Sequence, residues 1–273
     1  MRVLLTGSDG FIGKNVYNKL CTMDDISKIT CIEKDYMNHS GWKTTLSKAV
    51  DQTDVILHIG AISDTMLSDP NEMLKYNYVF SKELFDLAEI YEKLVVYSSS
   101  AANTGDKGLP SNIYAWSKYI TERYGMAKVK DFIALRYFNV YGPGEEHKGK
   151  MASIAHQAHL IMQKGMGKFM LFPGNPKRDF VYIEDVVDAT IYPIFNDVSK
   201  GVYEVGSGEA RTFEDVLDLM EIPYEYKDEI EIPKGYQFFT KANRKNFLFG
   251  WQPKCNLKRG IGEYKEYLKG EGY

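Results

Sequence analysis

Three cysteines are all that 273 residues carry: Cys21, Cys31 and Cys255. An odd number builds no disulfide framework, and their spacing matches no metal motif. A reducing compartment is therefore expected, and with it a cytoplasmic location. An excess of positive charge is lacking as well. The formal net charge is −3, so no basic footprint argues for nucleic acid. No apolar run is long enough to span a membrane, and no membrane partner is expected. Arg2 leads straight into the first predicted strand, so no secretory leader is expected. The chain shows no repeat, no low-complexity tract and no Pro- or Ser-rich linker. What it has is 44% hydrophobic residues, enough for a sizeable core, and a length that suits one large domain or one domain with a smaller lobe.

The chain is organised around residues 2–13. Arg2-Val3-Leu4-Leu5-Thr6 is a β-branched and Leu-rich run, as a strand buried on both faces would be. Gly7, Gly10 and Gly13 follow at G-x-x-G-x-x-G spacing, and residues 14–20 read as helix. A strand that turns through glycines into a helix gathers free backbone N–H groups and the positive end of a helix dipole at one point. That point binds phosphate. Gly7 allows the tight turn, Gly10 lets the backbone approach a pyrophosphate, and Gly13 lets helix and strand pack closely. A glycine-rich turn with no ligand is the plain alternative; the agreement of strand, turn and helix favours a dinucleotide. NAD or NADP, one per chain and tightly bound, is the expected cofactor, with Phe11 and Ile12 also against it.

Residues 28–33 read as a second strand ending in Glu33, about 20 residues beyond the turn, where an acid can take both adenosine-ribose hydroxyls. A solvated strand-end carboxylate is the alternative. Lys34 follows directly and can meet a 2′-phosphate, so NADP stays open. The segment over 35–54 is compressed. A doubly wound sheet often has another strand and helix here, and only a helix over 42–50 remains. Residues 54–59 are the next strand, and Gly60-Ala61-Ile62-Ser63 is a small-residue turn at its end, where the cofactor crevice lies; Gly60, Ala61 and Ser63 are cofactor candidates. A long helix spans 71–91, with Met73, Leu74, Tyr78, Leu84, Leu87 and Ala88 at helical intervals. Asn77 and Ser81 interrupt that face. A capped or solvated polar pair is their default reading, and Asn77 is the one set against the cofactor.

Further strands are predicted over 93–97, 131–137, 180–183 and 201–206, and helices over 111–125, 151–164 and 184–196. Residues 138–144 read as the turn leaving the 131–137 strand. The remainder is shorter, more polar and irregular, ending in an amphipathic helix over 257–268. Alternating strand and helix predicts a parallel sheet with right-handed crossovers. The expected class is α/β: a Rossmann-like doubly wound parallel sheet with a smaller C-terminal substrate-binding lobe. Residues 1–141 and 179–206 are assigned to the first, 142–178 and 207–273 to the second.

Tyr114 and Lys118 are four apart and share one helix face. A lysine ammonium beside a phenol favours phenolate, lowering a tyrosine pKa from about 10 toward neutrality. Such a phenol exchanges protons with a sugar hydroxyl near neutral pH. Ser100, at a strand end, can bond the same hydroxyl. Alone, Tyr-x-x-x-Lys is usually a helix surface; after a glycine turn, and with Ser100, it is far more specific.

These pieces together resemble the extended short-chain dehydrogenase/reductase family of nucleotide-sugar enzymes. The matching stretches are Thr6-Gly7-x-x-Gly10-Phe11-Ile12-Gly13, Ser98-Ser99-Ser100-Ala101, Tyr114-x-x-x-Lys118 and Arg136-Tyr137-Phe138-Asn139-Val140-Tyr141-Gly142-Pro143. A closer resemblance, to the ADP-glyceromanno-heptose 6-epimerases, lies in His147-Lys148-Gly149-Lys150-Met151-Ala152-Ser153 and Lys177-Arg178-Asp179-Phe180-Val181-Tyr182. The resemblance implies that Tyr114 and Lys148 share the acid–base work, with Lys118 and Ser100 supporting Tyr114. It also implies that Asn139, Arg178 and Tyr236 hold a nucleotide-diphosphate sugar. Lys150 and Phe172 are placed with them, and Val140 beside the cofactor. An arginine facing a diphosphate is physically apt, being a fixed fork of donors. Without the resemblance, Lys148 reads as a loop lysine.

The chain also departs from that pattern. Gln157 stands where a histidine is expected, with His156 one position earlier, and Lys150 stands where a small serine is expected. These departures leave a related sugar open. The expected activity is that of an isomerase: an NAD(P)-dependent epimerisation by reversible hydride transfer through a keto intermediate. Another nucleotide-sugar 4-epimerase, a reductase or a dehydratase is the alternative. Ala101-Ala102 replace the Asp-Glu pair of dehydratases that resemble this fold, against dehydration. A non-catalytic dinucleotide-binding protein is the alternative of another class. An oligomer of identical chains is expected.

Overall fold

A computed structural model describes residues 1–64, 67, 69–105, 108–227 and 237–270. In chain order its strands are β1 (Arg2–Thr6), β2 (Lys28–Ile32), β3 (Val55–His58), β4 (Leu94–Ser100), β5 (Phe132–Tyr137), β6 (Asn139–Tyr141), β7 (Phe169–Leu171), β8 (Lys177–Tyr182), β9 (Gly201–Val205), β10 (Ala210–Thr212) and β11 (Tyr224–Tyr226). The α-helices are α1 (Phe11–Leu20), α2 (Trp42–Asp51), α3 (Pro70–Leu74), α4 (Phe80–Ile90), α5 (Ile113–Lys128), α6 (Ile154–Gln163), α7 (Ile183–Phe195), α8 (Phe213–Met220) and α9 (Leu257–Gly270).

The main sheet runs β2-β1-β3-β4-β5-β9, and every pairing in it is parallel. The chain winds outward from β1 to β2, then returns past β1 to β3 and continues the other way. The reversal between β1 and β3 is the point where an open α/β sheet binds its ligand. The compressed 35–54 segment has its expected consequence: β2 is the outermost strand of this sheet, with no strand beyond it among the described residues.

β1 is apolar without alternation because both its faces are covered. Val3 and Leu5 belong to one core with Phe11, Val16 and Leu20 of α1 and with Val186 of α7. Leu4, between them, belongs to a second core with Leu46 and Val50 of α2 and with Leu84 and Phe85 of α4. Side chains two apart point to one face, so a single strand feeds both layers. Each such buried Leu, Val or Phe contributes roughly 1.5–3 kcal/mol.

Several elements differ from their sequence reading. Residues 138–144 are not simply a turn, since Asn139–Tyr141 form β6, which pairs in parallel with β8. β8 starts at Lys177 and pairs antiparallel with β10, in a small sheet of its own. The polar stretch after 206 also holds α8, started by a capping box between Thr212 and Asp215. The helix expected from 151 begins at Ile154, capped by Ser153, and a 3-10 turn precedes it over Glu146–Met151. The long helix expected over 71–91 is interrupted by a π-helical turn, Lys75–Val79, between α3 and α4.

Candidate active site

The turn after β1 closes as its glycines require. Gly7 has φ +74, and a Cβ there would lie 2.5 Å from the Gly60 Cα. A Cβ on Gly13 would lie 1.9 Å from the Gly7 carbonyl oxygen, which is how closely α1 approaches the turn. A buried hydrogen-bond chain fixes the neighbouring Gly60 loop. Ser81 Oγ donates to the Asn77 carbonyl at 2.8 Å, which leaves it to accept from His58 Nε2 at 2.6 Å. His58 Nδ1 therefore accepts from Thr6 Oγ1 at 2.7 Å, and Thr6 Oγ1 accepts from the Gly60 N–H at 3.0 Å. Burial, aided by Lys118, pushes the His58 pKa down to about 3, so the ring is the neutral tautomer this chain of bonds requires. At the end of β2, Glu33 Oε1 accepts from the backbone N–H of Ser8 at 2.7 Å and also from its hydroxyl.

Tyr114 and Lys118 lie on α5, whose start is capped by Asn112 accepting from Ala115 N at 2.8 Å. Lys118 is buried against β4. Its Nζ donates to the Ser98 carbonyl at 2.5 Å and to Ser98 Oγ at 3.2 Å, and lies 4.8 Å from the centroid of the Tyr97 ring. Loss of hydration lowers the Lys118 pKa to about 7. Tyr114 is raised from its ordinary value by burial, while its hydrogen bond to Ser100 acts in the opposite direction. This corrects the expectation that a lysine ammonium lowers the phenol. The four-residue spacing does bring both side chains to one cleft, but both are desolvated, and it is burial that sets the direction for each.

Lys148 lies in the 3-10 turn and is half buried, and burial lowers its pKa against an opposing pull from Glu145. Glu145 is fully buried and holds that turn at both ends. It accepts from Gly142 N at 3.3 Å on one side, and from Ser153 N at 2.5 Å and Ser153 Oγ at 2.7 Å on the other. Gln157, in the place of the expected histidine, donates to the Ala152 carbonyl at 2.7 Å, while His156 turns away to Tyr264 at 3.1 Å.

One cleft of about 860 Å³ joins these parts. Its wall includes Gly7, Gly10, Phe11, Ile12, Gly13, Glu33 and Lys34, then Gly60, Ala61 and Ser63, then Ser100, Tyr114, Lys118 and Val140. Asn139, Lys148, Lys150 and Phe172 line it too. Asn77 does not. Its amide is spent on the backbone N–H and carbonyl of Ile62, at 2.7 and 2.9 Å, and on Ser117 Oγ, so it fixes the Gly60–Ser63 loop from behind. Arg178 is buried on β8 outside the cleft wall, with Nη1 donating to the Lys177 carbonyl at 3.0 Å. Tyr236 lies outside the described residues. Tyr76 and Met37 also line it, and no sequence signal marks them for it; Gln157, in the place of the expected histidine, lines it too.

The parallel sheet, the glycine turn at its reversal point and a Ser–Tyr–Lys set facing the same cleft define a dinucleotide-dependent enzyme of the Rossmann type. Residues 3–206 match the model of the NAD dependent epimerase/dehydratase family, and the chain belongs to that family. It is 32% identical, over 99% of its own length and 98% of the relative's, to the ADP-L-glycero-D-manno-heptose-6-epimerase of Brachyspira hyodysenteriae. Among solved structures it is similar to the Helicobacter pylori ADP-L-glycero-D-manno-heptose-6-epimerase, with TM-score 0.84 and 25% identity, covering 98% of this chain and 96% of that one. The fold is shared with the Thermotoga maritima UDP-glucose 4-epimerase, at TM-score 0.85 and 22% identity with both chains fully covered. Among the described residues, no helix is long and apolar enough to cross a membrane.

Proposed function

We propose that the chain is a nucleotide-sugar epimerase that holds its nicotinamide dinucleotide tightly and acts on an ADP-glyceromanno-heptose. The observation that carries this reading is that Tyr114 and Lys148, from two separate elements, line one cleft together with the glycine turn. The turn fits a dinucleotide. A Cβ on Gly13 has no room at all, whereas a Cβ on Gly10 would meet only the Gly7 oxygen, at 3.4 Å, which leaves the cleft side of Gly10 clear for a pyrophosphate. Gly7, Gly10 and Gly13 would hold that pyrophosphate, Glu33 the adenosine ribose, and Gly60, Ala61, Ser63 and Val140 the rest of the group. When bound, the nicotinamide supplies removal of a hydride from a sugar carbon and its return to the other face.

The protein's own contribution is to the proton. If the sugar turns over about the reacting carbon, its oxygen moves between two positions, and one group cannot be within hydrogen-bond reach of both. Tyr114 Oη and Lys148 Nζ are the two partners. Tyr114, raised by burial, is a neutral phenol near pH 7 and holds a proton to give. Lys148 is lowered by burial against the pull of Glu145, which eases the exchange of its proton. Ser100 orients the same oxygen from beside Tyr114. Asn139, Lys150 and Phe172 bind the nucleotide-sugar within the cleft, with Arg178 and Tyr236 assigned to the same ligand by resemblance. The heptose assignment rests on the similarity to two heptose 6-epimerases over nearly the whole chain.

Incubation with ADP-glyceromanno-heptose, followed by proton NMR of the C6 configuration, tests the reading. Inversion by the wild type is expected, together with release of a nicotinamide dinucleotide on denaturation. A chain that releases the dinucleotide but inverts no ADP- or UDP-sugar would be a non-catalytic binding protein.

A further inference from the structure

At the end of the cleft marked by Glu33, the wall is built from Lys34 and Tyr76. Lys34 Nζ stands 4.7 Å from the centroid of the Tyr76 ring, and Lys75 Nζ stands 4.9 Å from the same centroid. Two ammonium groups thus share one aromatic ring. One of them is neutralised: Lys34 Nζ pairs with Glu72 Oε1 at 2.8 Å. Glu72 is four residues before Tyr76, so carboxylate and ring succeed one another along the same helical segment and receive Lys34 together. Glu33, the residue before Lys34, meets Ser8 through Oε1.

A 2′-phosphate on the adenosine ribose would add between one and two negative charges at neutral pH. Beside it would stand the Glu33 carboxylate, and the nearest ammonium would be already engaged. A ribose carrying only hydroxyls meets neither obstacle. We propose that Glu72 sets the choice of cofactor: by drawing Lys34 onto Tyr76 it masks a two-lysine site for a 2′-phosphate, and the chain selects NAD over NADP. This rests on the dinucleotide reading of the cleft. Lys34 and Glu72 have side-chain exposures of 58% and 41%, so the pair is screened by solvent and its effect is moderate.

The test is competition. Wild-type protein is incubated with equal concentrations of NAD+ and NADP+, freed of unbound nucleotide and denatured, and the released nucleotides are counted by mass spectrometry. The wild type is expected to hold mainly NAD+. Glu72→Gln, which keeps the side-chain volume, is expected to shift the ratio toward NADP+ by about two- to fivefold, and less so at high salt. Lys34→Ala in the Glu72→Gln background is expected to shift it back. A wild type that holds mainly NADP+, or a Glu72→Gln ratio equal to that of the wild type, overturns the inference. A wild type that releases no nicotinamide nucleotide overturns the dinucleotide reading itself, a result distinct from a ratio that does not move.

Discussion

Lys148 Nζ lies 5.1 Å from the centroid of the Phe11 ring. Phe11 is the first residue of α1, directly after the glycine turn, so this lysine rests on the element that shapes the cofactor turn. Asn15, one helical turn further on, donates to the Phe11 carbonyl and to the Pro143 carbonyl, each at 2.9 Å. The loop that carries Lys148 is therefore docked on α1 twice, once by a cation over a ring and once by an amide. A cation over an aromatic face is worth about 0.5–2 kcal/mol, more when desolvated. Displacing α1 would displace the lysine with it.

Tyr114→Phe and Lys148→Ala are each expected to lower epimerase turnover by about 10²–10⁴-fold, the range for loss of a positioned proton partner. Neither is expected to change the nucleotide released on denaturation. Full turnover in Lys148→Ala would reduce Lys148 to a loop residue and leave Tyr114 as the sole proton partner.

Glu145→Gln keeps the shape of the clamp but replaces one acceptor oxygen by a donor, which faces the donating N–H and hydroxyl groups of its partners. A cost of roughly 1–3 kcal/mol is expected, read as a lower urea midpoint. Turnover should fall with it, while cofactor content stays, because Lys148 loses its fixed place and the glycine turn does not. Unchanged turnover would mean that Glu145 serves the fold alone.

Gly13→Ala places a methyl group where the Gly7 oxygen already stands, 1.9 Å away. Backbone must move, because no flexible side chain is there to yield. Destabilisation of about 1–3 kcal/mol or more is expected, with loss of bound nucleotide. Gly262, with nothing within 4 Å of its added Cβ, is the control, and Gly262→Ala should leave nucleotide content unchanged. Equal nucleotide content in Gly13→Ala and wild type would show that the turn has slack this geometry does not.

His58 brings a pH dependence to stability. Its pKa is near 6.5 when unfolded and about 3 when folded. Between those values the unfolded chain binds a proton that the folded chain refuses, so the contribution is full above about pH 6.5 and is lost as pH falls toward 3. Urea midpoints taken between pH 7 and pH 4 should drop more steeply in the wild type than in His58→Gln. Parallel curves would remove His58 from the account.

Much of the main sheet can be read from the chain because burial on both faces leaves a local mark. Runs such as Val55-Ile56-Leu57 and Leu94-Val95-Val96 are far too short to cross a membrane and are rich in β-branched residues, as strands covered on both faces are. Tyr114 and Lys118 are legible for a similar reason, since spacing along one helix is a local property. Their depth is not local. It depends on α5 lying against Ser98 and Tyr97 of β4, and depth reverses the expected effect on Tyr114. Glu145 is invisible because an acid between Gly144 and Glu146 reads as solvated, and its partners become neighbours only when the loop closes. Asn77 is visible as a break in an apolar face, but its partner is the backbone of Ile62, in a loop that no periodicity describes. β6 and β10 are short and pair with the same distant strand, so neither has a pattern of its own. α8 is the exception among the elements that sequence reading misses: Thr212-Phe213-Glu214-Asp215 before Val216 and Leu217 is a local helix-start signature.

The π-helical turn over Lys75–Val79 fixes a residue count as well as a shape. An α-helix advances about 100° per residue, so a turn of different pitch resets the phase between α3 and α4. Glu72 and Met73 lie before it; Ser81, Leu84 and Phe85 lie after it. Deleting one residue here would leave each half a sound helix, yet swing one through about a quarter-turn against the other. Ser81 could face His58, or Glu72 face Lys34, but not both. Among relatives that keep both relationships, the number of residues between these two landmarks should be invariant even where every side chain between them has drifted.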